Sequence, residues 1–356
     1  MTDRIQKHID LAINLYAHHN YHDAGRVLEA VLQAQPQNPD AIYMMGLYQW
    51  QFGDGLLGIK FVKRAVELKP ELQDYDFQRE RLLNQGKSMM QVWEMLYSEY
   101  LRFQTIDAFL ISFPKCGRTW LRAMLGWYVN DLAEGDPMEV MELTKARQEF
   151  CTLDISHDDF PHLKTAENLA TNKNAYRGKK VIFMIRDPRD VVVSNFFQFT
   201  KRGDQKVVDD KFAGTLSEFI RYEIGGLANL VEFYNIWAEN KSVPKAYLVV
   251  SYEELSRSPK QILAKCIDML GWPDKGETFI DDIVAKESFN SMREMERTNE
   301  LRSVRLSPSG DGDPEGFKTR KGKVGGYVDY LSNEDLEYIS SYLKTHLHAD
   351  YAAYKY

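Results

Sequence analysis

Three clusters of cationic and hydroxyl-bearing residues stand out in the 356-residue sequence. The first, Phe113-Pro114-Lys115-Cys116-Gly117-Arg118-Thr119-Trp120, follows a short apolar run and precedes a helical pattern. A strand-to-helix junction gathers backbone N–H groups at a helix N-terminus, where dipole and donors together favour an anion. Lys115, Arg118 and Thr119 add side-chain donors there. The second, Arg186-Asp187-Pro188-Arg189-Asp190-Val191-Val192-Val193-Ser194, again ends an apolar run, and Asp187-Pro188 reads as a turn into a helix. Arg186 would face the crevice in which open α/β sheets bind ligands, and Ser194 follows about two helical turns later. The third, Phe317-Lys318-Thr319-Arg320-Lys321-Gly322-Lys323-Val324-Gly325-Gly326, puts four basic residues within six positions, with glycines that permit close backbone approach. All three suit the binding of a multiply phosphorylated anion. Each has a plainer reading too: a turn with a surface lysine, an arginine paired with Asp190 (a stronger competitor for Arg189 than for Arg186), and a solvated charge run.

The surrounding composition narrows the choices. Apolar residues make up 44% and charged residues 27%, as in an ordinary globular protein. With 45 basic against 52 acidic residues the net charge is −7, which argues against nucleic acid or an anionic membrane as partner, though not against a local basic pocket. The cysteines Cys116, Cys151 and Cys266 are too few and too scattered for a disulfide framework or a cysteine-rich metal site. No signal peptide and no run near the roughly 18 apolar residues of a membrane span is expected, so the predicted location is the cytoplasm. A Walker A loop is not expected either, because Lys115 precedes the only glycine of its turn.

The elements that must position these clusters follow from apolar patterning. Ala108–Phe113, Val181–Ile185 and Ala246–Val250 read as buried strands, with Thr152–Ile155 a weaker one. Thr119–Val129, Val191–Phe199 and Pro259–Leu270 read as helices between or after them. That alternation predicts an α/β fold over residues 106–356 with a central parallel sheet flanked by helices. Gly203–Gly214 and Ser303–Gly316 break the pattern as long loops of the kind that serve as lids. Upstream, a constant offset of 34 aligns Leu11-Ala12 with Met45-Gly46, Ala24 with Gly58, Leu28 with Val62, Val31 with Ala65, and Pro36 with Pro70. Residues 1–72 thus resemble two tetratricopeptide repeats, an all-α region suited to a docking groove or a dimer surface. Residues 73–105 are expected as a helical linker that caps them.

Taken together and in order, the three clusters resemble those of sulfotransferases that use 3′-phosphoadenosine 5′-phosphosulfate (PAPS). The resemblance covers about residues 106–330 and implies a P-loop-like fold. It implies that Lys115, Cys116, Gly117, Arg118, Thr119 and Trp120 hold the phosphosulfate end, and that Arg186 and Ser194 hold the 3′-phosphate, with Arg320, Lys321 and Gly322 completing that clamp. Tyr252 matches the tyrosine that contacts the adenosine part, while Ser288, Phe289 and Met292 match the segment near the adenine. Cys116 and Arg118 depart from the commoner Ser and Thr, and Gly326-Tyr327 from Asp-Trp. The histidine of the animal Lys-Thr-His motif is missing at Lys164-Thr165-Ala166. His157, in Asp154-Ile155-Ser156-His157-Asp158-Asp159, looks like the Thr-His-Asp form of bacterial relatives, with His162 as the alternative.

These matches imply transfer of a sulfuryl group to an acceptor hydroxyl or amine, on a small molecule or a glycan. His157 would act as general base, Lys115 would stabilise the leaving phosphate, and Ser194 would restrain Lys115. No metal is expected to take part. A protein partner or a second copy could dock on the N-terminal repeats. Two alternatives stay open at this level: a P-loop-type small-molecule kinase, and a nucleotide-sensing tetratricopeptide scaffold.

Overall fold

The computed structural model describes residues 2–17, 20–52, 55–69, 103, 105–133, 140–141, 143, 150–158, 160–201, 212–298 and 322–356. Most of the expected cap at 73–105, the 303–316 loop, Arg320, Lys321 and all but the end of the 203–214 loop lie outside them. The chain divides into two compact units, Met1–Gln104 and Thr105–Tyr356.

Among the described residues, the first unit contains four helices, α1 (Thr2–Ala17), α2 (Tyr21–Ala34), α3 (Pro39–Phe52) and α4 (Gly55–Leu68). The bounds of α2 and α4 differ by the 34-residue offset read from the sequence. Of the aligned positions, Ala12 and Gly46, Ala24 and Gly58, Leu28 and Val62, and Val31 and Ala65 are buried pairs. Small residues there let the helices close up: a Cβ on Gly46 would stand 2.9 Å from Val62 Cγ2 and 3.0 Å from the Gly58 carbonyl oxygen. The alignment fails at Leu11, which is 48% exposed where Met45 is buried, because that position of α1 turns outward. Pro36 sits in the turn after α2, where a residue lacking an N–H costs no helical hydrogen bond.

The second unit is built on a four-stranded, all-parallel sheet of order β2-β1-β3-β4, with β1 Ala108–Ser112, β2 Leu153–Ser156, β3 Lys180–Ile185 and β4 Ala246–Ser251. Every residue of β1 is buried, as a central strand covered on both faces requires. Each bound lies within one residue of the sequence expectation, but β4, expected as a buried strand, is buried only at Val250 and leaves Val249 40% exposed, because it lies at the edge of the sheet. Two helices follow the strands in the key junctions: α5 (Arg118–Leu132) after β1 and α6 (Pro188–Lys201) after β3. The others are α7 (Leu216–Ile220), α8 (Leu227–Glu239), α9 (Tyr252–Arg257), α10 (Pro259–Leu270), α11 (Glu277–Lys286), α12 (Phe289–Thr298) and α13 (Asn333–His346). Proline opens α6 and α10, where its missing N–H is harmless, and α9 starts on a capping box between Ser251 and Glu254. Under the sheet, Phe183 stacks on Trp237 and Tyr247 and meets Phe233 and Tyr234 edgewise or tilted.

The tight α3–α4 approach gives a direct check. Gly46→Val would force branched atoms against Val62 and the Gly58 carbonyl, and overpacking of this kind costs about 1–3 kcal/mol. The expected outcome is a lower urea midpoint for the first unit's helical signal, read by circular dichroism; an unchanged midpoint would refute the close approach.

Candidate active site at the carboxyl edge of the sheet

Parallel register brings the expected site residues to one edge. Ile111 pairs with Ser156 and Ile185 with Ser251, so the next residues along, Ser112 beside His157 and Arg186 beside Tyr252, leave the sheet side by side. Between them runs the turn 113–117. Its backbone is left-handed at Lys115 (φ 72°) and Gly117 (φ 89°). Only glycine fits the second position: a Cβ there would lie 2.4 Å from Tyr252 Cδ2 and 3.1 Å from Met184 Cε. No side chain caps α5, whose first residue is Arg118. Its opening turn therefore presents backbone donors at the positive end of a 15-residue helix.

The side chains of this turn diverge. Lys115 Nζ donates to Gln198 Oε1 at 3.3 Å, one turn beyond Ser194 on α6, so the restraint expected of Ser194 is supplied by its neighbouring amide. Cys116 is fully buried, its Sγ 3.3 Å from the Tyr234 hydroxyl, and burial pushes the thiol up to about 12. The thiol that replaces the family's hydroxyl therefore sits in the core, and Cys116 has only its backbone to give the turn.

Arg118 turns toward β2. Its guanidinium donates to the Ser156 carbonyl at 2.5 Å and to His157 Nε2 at 2.6 Å. The other ring nitrogen, Nδ1, lies 2.9 Å from the Ser112 carbonyl. A carbonyl can only accept, so Nδ1 carries the proton and Nε2 is the lone-pair nitrogen of a neutral imidazole. The next residue, Asp158, holds the loop from below. It is buried, accepts from Tyr176 Oη (2.8 Å) and Trp237 Nε1 (2.9 Å), and pairs with the equally buried Lys173 at 2.8 Å. An ion pair so completely removed from water is stable only with its remaining hydrogen-bonding capacity satisfied, and here two aromatic donors do that. His162, buried in the short turn Pro161–Leu163, stands edge-on to His157 at 5.4 Å between ring centroids and packs on Phe113. Lys164 and Ala166 follow it; the Lys164 carbonyl accepts from buried Asn229.

On the other side of the turn, Arg186 lies over Tyr252, its Cζ 4.3 Å from the ring centroid. It donates to the carbonyls of Lys115 (3.3 Å) and Lys323 (3.0 Å) and meets Asp190 at 3.2 Å, while its buried Nε has no hydrogen-bond partner among the described residues. The sequence reading thus had the pairing reversed: Arg189 takes Asp187 in a two-pronged bond and covers Tyr327, and the partner of Asp190 is Arg186. Asp190 also accepts from the backbone N–H groups of Gly325 and Tyr327, both at 2.9 Å. One carboxylate thereby ties the start of α6 to the glycine-rich segment, in which Gly322 and Gly325 are left-handed. Glu253 secures the adjoining loop, accepting from the Asp187 N–H (3.0 Å) and from Tyr354 Oη (2.7 Å).

Trp120, one turn into α5, meets Tyr252 edgewise and packs with Ala123, Met141 and Met292. Its Nε1 donates to the Glu287 carbonyl at 2.7 Å, and Trp127 Nε1 donates to the Glu287 side chain at 2.5 Å. Ser288 follows, exposed, with its hydroxyl 2.7 Å from Ser291 Oγ. Phe289 opens α12 and Thr119 sits half-buried in α5. Of the supporting residues, Gln198, Lys173, Glu253 and Glu287 were missed by sequence reasoning. Their types are common and their partners distant in sequence. Among the described residues, no group of His, Cys, Asp and Glu is arranged to hold a metal ion, and no helix is long and apolar enough to cross a membrane.

Comparison with known proteins matches residues 105–350 to the family described as "Sulfotransferase domain". The four N-terminal helices lie outside that span, and no tetratricopeptide family matches them. The 3-beta-hydroxysteroid sulfotransferase of Cavia porcellus is 29% identical over 253 residues, covering 64% of this chain and 78% of its own. The flavonol 3-sulfotransferase of Flaveria bidentis is 23% identical over 290 residues, covering 72% and 86%. A mouse sulfotransferase crystallised with PAP shares the fold at a TM-score of 0.50 and 21% identity, covering 70% of this chain and 88% of that one.

Glu287 offers a test of the site's floor. It is fully buried, one carboxyl oxygen lacks a hydrogen-bond partner among the described residues, and burial raises the group to about 7. A carboxyl raised in the folded state stabilises most below its ordinary value near 4.5 and loses that contribution as pH rises through about 7. Glu287→Gln, which imitates the neutral acid, should therefore gain stability over the wild type as pH rises from 5 to 8, on the order of 2–3 kcal/mol at most. Melting temperatures compared across that range check it; a gap that shrinks toward pH 8 would contradict the buried charge.

Proposed function

We infer, from the premise that this chain belongs to the sulfotransferase family, that the carboxyl edge of its sheet binds PAPS and transfers the sulfuryl group to a hydroxyl or amine of a small acceptor. The enzyme class follows from the family, which sets aside both the small-molecule kinase and the nucleotide-sensing scaffold. The observation that carries the finer reading is the Nε2 lone pair of His157 standing beside an uncapped helix N-terminus built to receive an anion.

The residues present fit the donor. The left-handed turn and first turn of α5 (Lys115, Cys116, Gly117, Arg118, Thr119 and Trp120) suit the phosphosulfate end, with Cys116 contributing backbone only. Arg186 has a buried Nε without a hydrogen-bond partner among the described residues and a guanidinium over Tyr252, a state that a phosphate oxygen would relieve. Ser194 on α6, Gly322 and, outside the described residues, Arg320 and Lys321 complete the 3′-phosphate clamp. Tyr252, Ser288, Phe289 and Met292 flank the adenosine. In the transfer, the acceptor oxygen forms its bond to sulfur as the bond from sulfur to the phosphate oxygen breaks. His157 Nε2 takes the acceptor's proton, and the Lys115 ammonium balances the charge left on the bisphosphate. Positioning and electrostatics of this kind supply most of such a barrier reduction.

Relatives named for hydroxysteroid, flavonol and amine substrates favour small-molecule acceptors here, with a glycan the other class. We assign residues 1–72 to a tetratricopeptide-like pair that docks a protein or a second copy, 73–105 to its cap and 106–356 to the transferase. The 34-residue offset of buried small residues supports the repeat reading. A cytoplasmic location accords with relatives named as cytosolic sulfotransferases.

Two measurements test the assignment. His157→Ala should lower turnover about a hundred- to ten-thousandfold and leave binding of 3′,5′-bisphosphoadenosine near normal, whereas His162→Ala should do neither. A folded His157→Ala enzyme with full activity removes the base. Arg186→Ala loses charge-assisted contacts worth about 1.5–3 kcal/mol, so calorimetry should show bisphosphate affinity falling at least about tenfold while adenosine 5′-phosphate binding hardly changes. Equal loss for both ligands would move the 3′-phosphate elsewhere.

A further inference from the structure

His157 Nε2 has one lone pair, and Arg118 occupies it. The guanidinium N–H points at Nε2 from 2.6 Å while a second N–H is held by the Ser156 carbonyl. An acceptor hydroxyl cannot donate to the same lone pair, so in this arrangement the ring is correctly oriented and chemically covered. Arg118 is also the first residue of α5, beside the backbone donors that suit an anion. A guanidinium bonds an anionic oxygen more strongly than a neutral imidazole, because the anion adds charge–charge attraction to the hydrogen bond and can accept two parallel N–H groups.

We propose that Arg118 masks His157 in the ligand-free enzyme and that the 5′-phosphate end of the bound nucleotide draws the guanidinium away, exposing the base only when the donor site is filled. This rests on the assignment of His157 as base and adds a positioning role for Arg118. Its residue type makes the device: a threonine at the same place would be too short to reach across to β2. The ring itself need not move, because the Ser112 carbonyl holds Nδ1–H whichever partner faces Nε2. Two anchors fix the imidazole, Ser112 through the ring and buried Asp158 through the backbone that follows it. The guanidinium is the part that exchanges.

The probe is diethyl pyrocarbonate, whose carbonyl carbon is attacked by an unprotonated imidazole lone pair to give a carbethoxy-histidine. Modification of His157 is followed on the full chain by peptide mass spectrometry, with His162 resolved by fragmentation. In the wild type, His157 should react slowly alone and at least several-fold faster with saturating 3′,5′-bisphosphoadenosine, the reverse of ordinary ligand protection. Arg118→Thr should react fast without ligand and gain little from it. In Arg186→Ala the acceleration should require higher bisphosphate concentrations. Slower or unchanged His157 modification on adding bisphosphate to the wild type overturns the mask, and that arm does not depend on any variant folding. A wild type that shows the acceleration while His157→Ala retains full turnover keeps the Arg118 contact but removes the base; a dead His157→Ala without acceleration does the opposite.

Discussion

The site depends on the pairing of β1 with both β2 and β3 in parallel register. Four neighbouring strands ending together convert residues far apart in sequence into neighbours at one edge: the Ser112 carbonyl meets the His157 ring, and Arg186 settles on Tyr252. A slip of one residue in either pairing would send these side chains to opposite faces. Packing specifies against that slip, since every residue of β1 and all but the first of β3 are buried and a shifted strand would set side chains of the wrong size against both covering layers. Packing thus fixes the coordinates of chemistry that packing residues never touch.

Around that frame, two carboxylates that take no part in proton transfer carry much of the organisation. Asp158 ties the His157 loop to Lys173, Tyr176 and Trp237 below the sheet. Asp190 ties α6 to the glycine-rich segment and to Arg186. Each is nearly dry, and each would leave several buried donors unpaired if replaced by an apolar residue. Each supports a residue assigned to chemistry or donor binding, Asp158 through the backbone next to His157 and Asp190 through its ion pair with Arg186.

Much of this was legible beforehand, and for physical reasons. Strands with continuous apolar runs have one way to be buried, and proline and glycine mark where α6 and α10 start and where α10 stops. The described residues of the first two motifs gather at one edge of one sheet, as their strand-to-helix junctions imply. Side-chain direction was the part that sequence did not carry. Cys116 could have faced the ligand or the core, and a Tyr234 hydroxyl more than a hundred residues away decided for the core. Arg189 and Arg186 had two aspartates between them, and only the turn of α6 settled which took which. Glu287 carries no local signal at all; its importance arises from two indoles on one face of α5.

The contact between Gly117 and Tyr252 has an evolutionary consequence. A methyl group at position 117 has no room while the phenol ring of Tyr252 is present, and the backbone there is already in a conformation that L side chains rarely adopt. Neither residue can drift independently: a larger residue at 117 needs a smaller one at 252 first, yet shrinking 252 strips Arg186 of the surface on which it lies. A lineage leaving this arrangement must cross an intermediate with a damaged turn or an unsupported arginine. Selection on one atom's clearance thus holds two distant codons together.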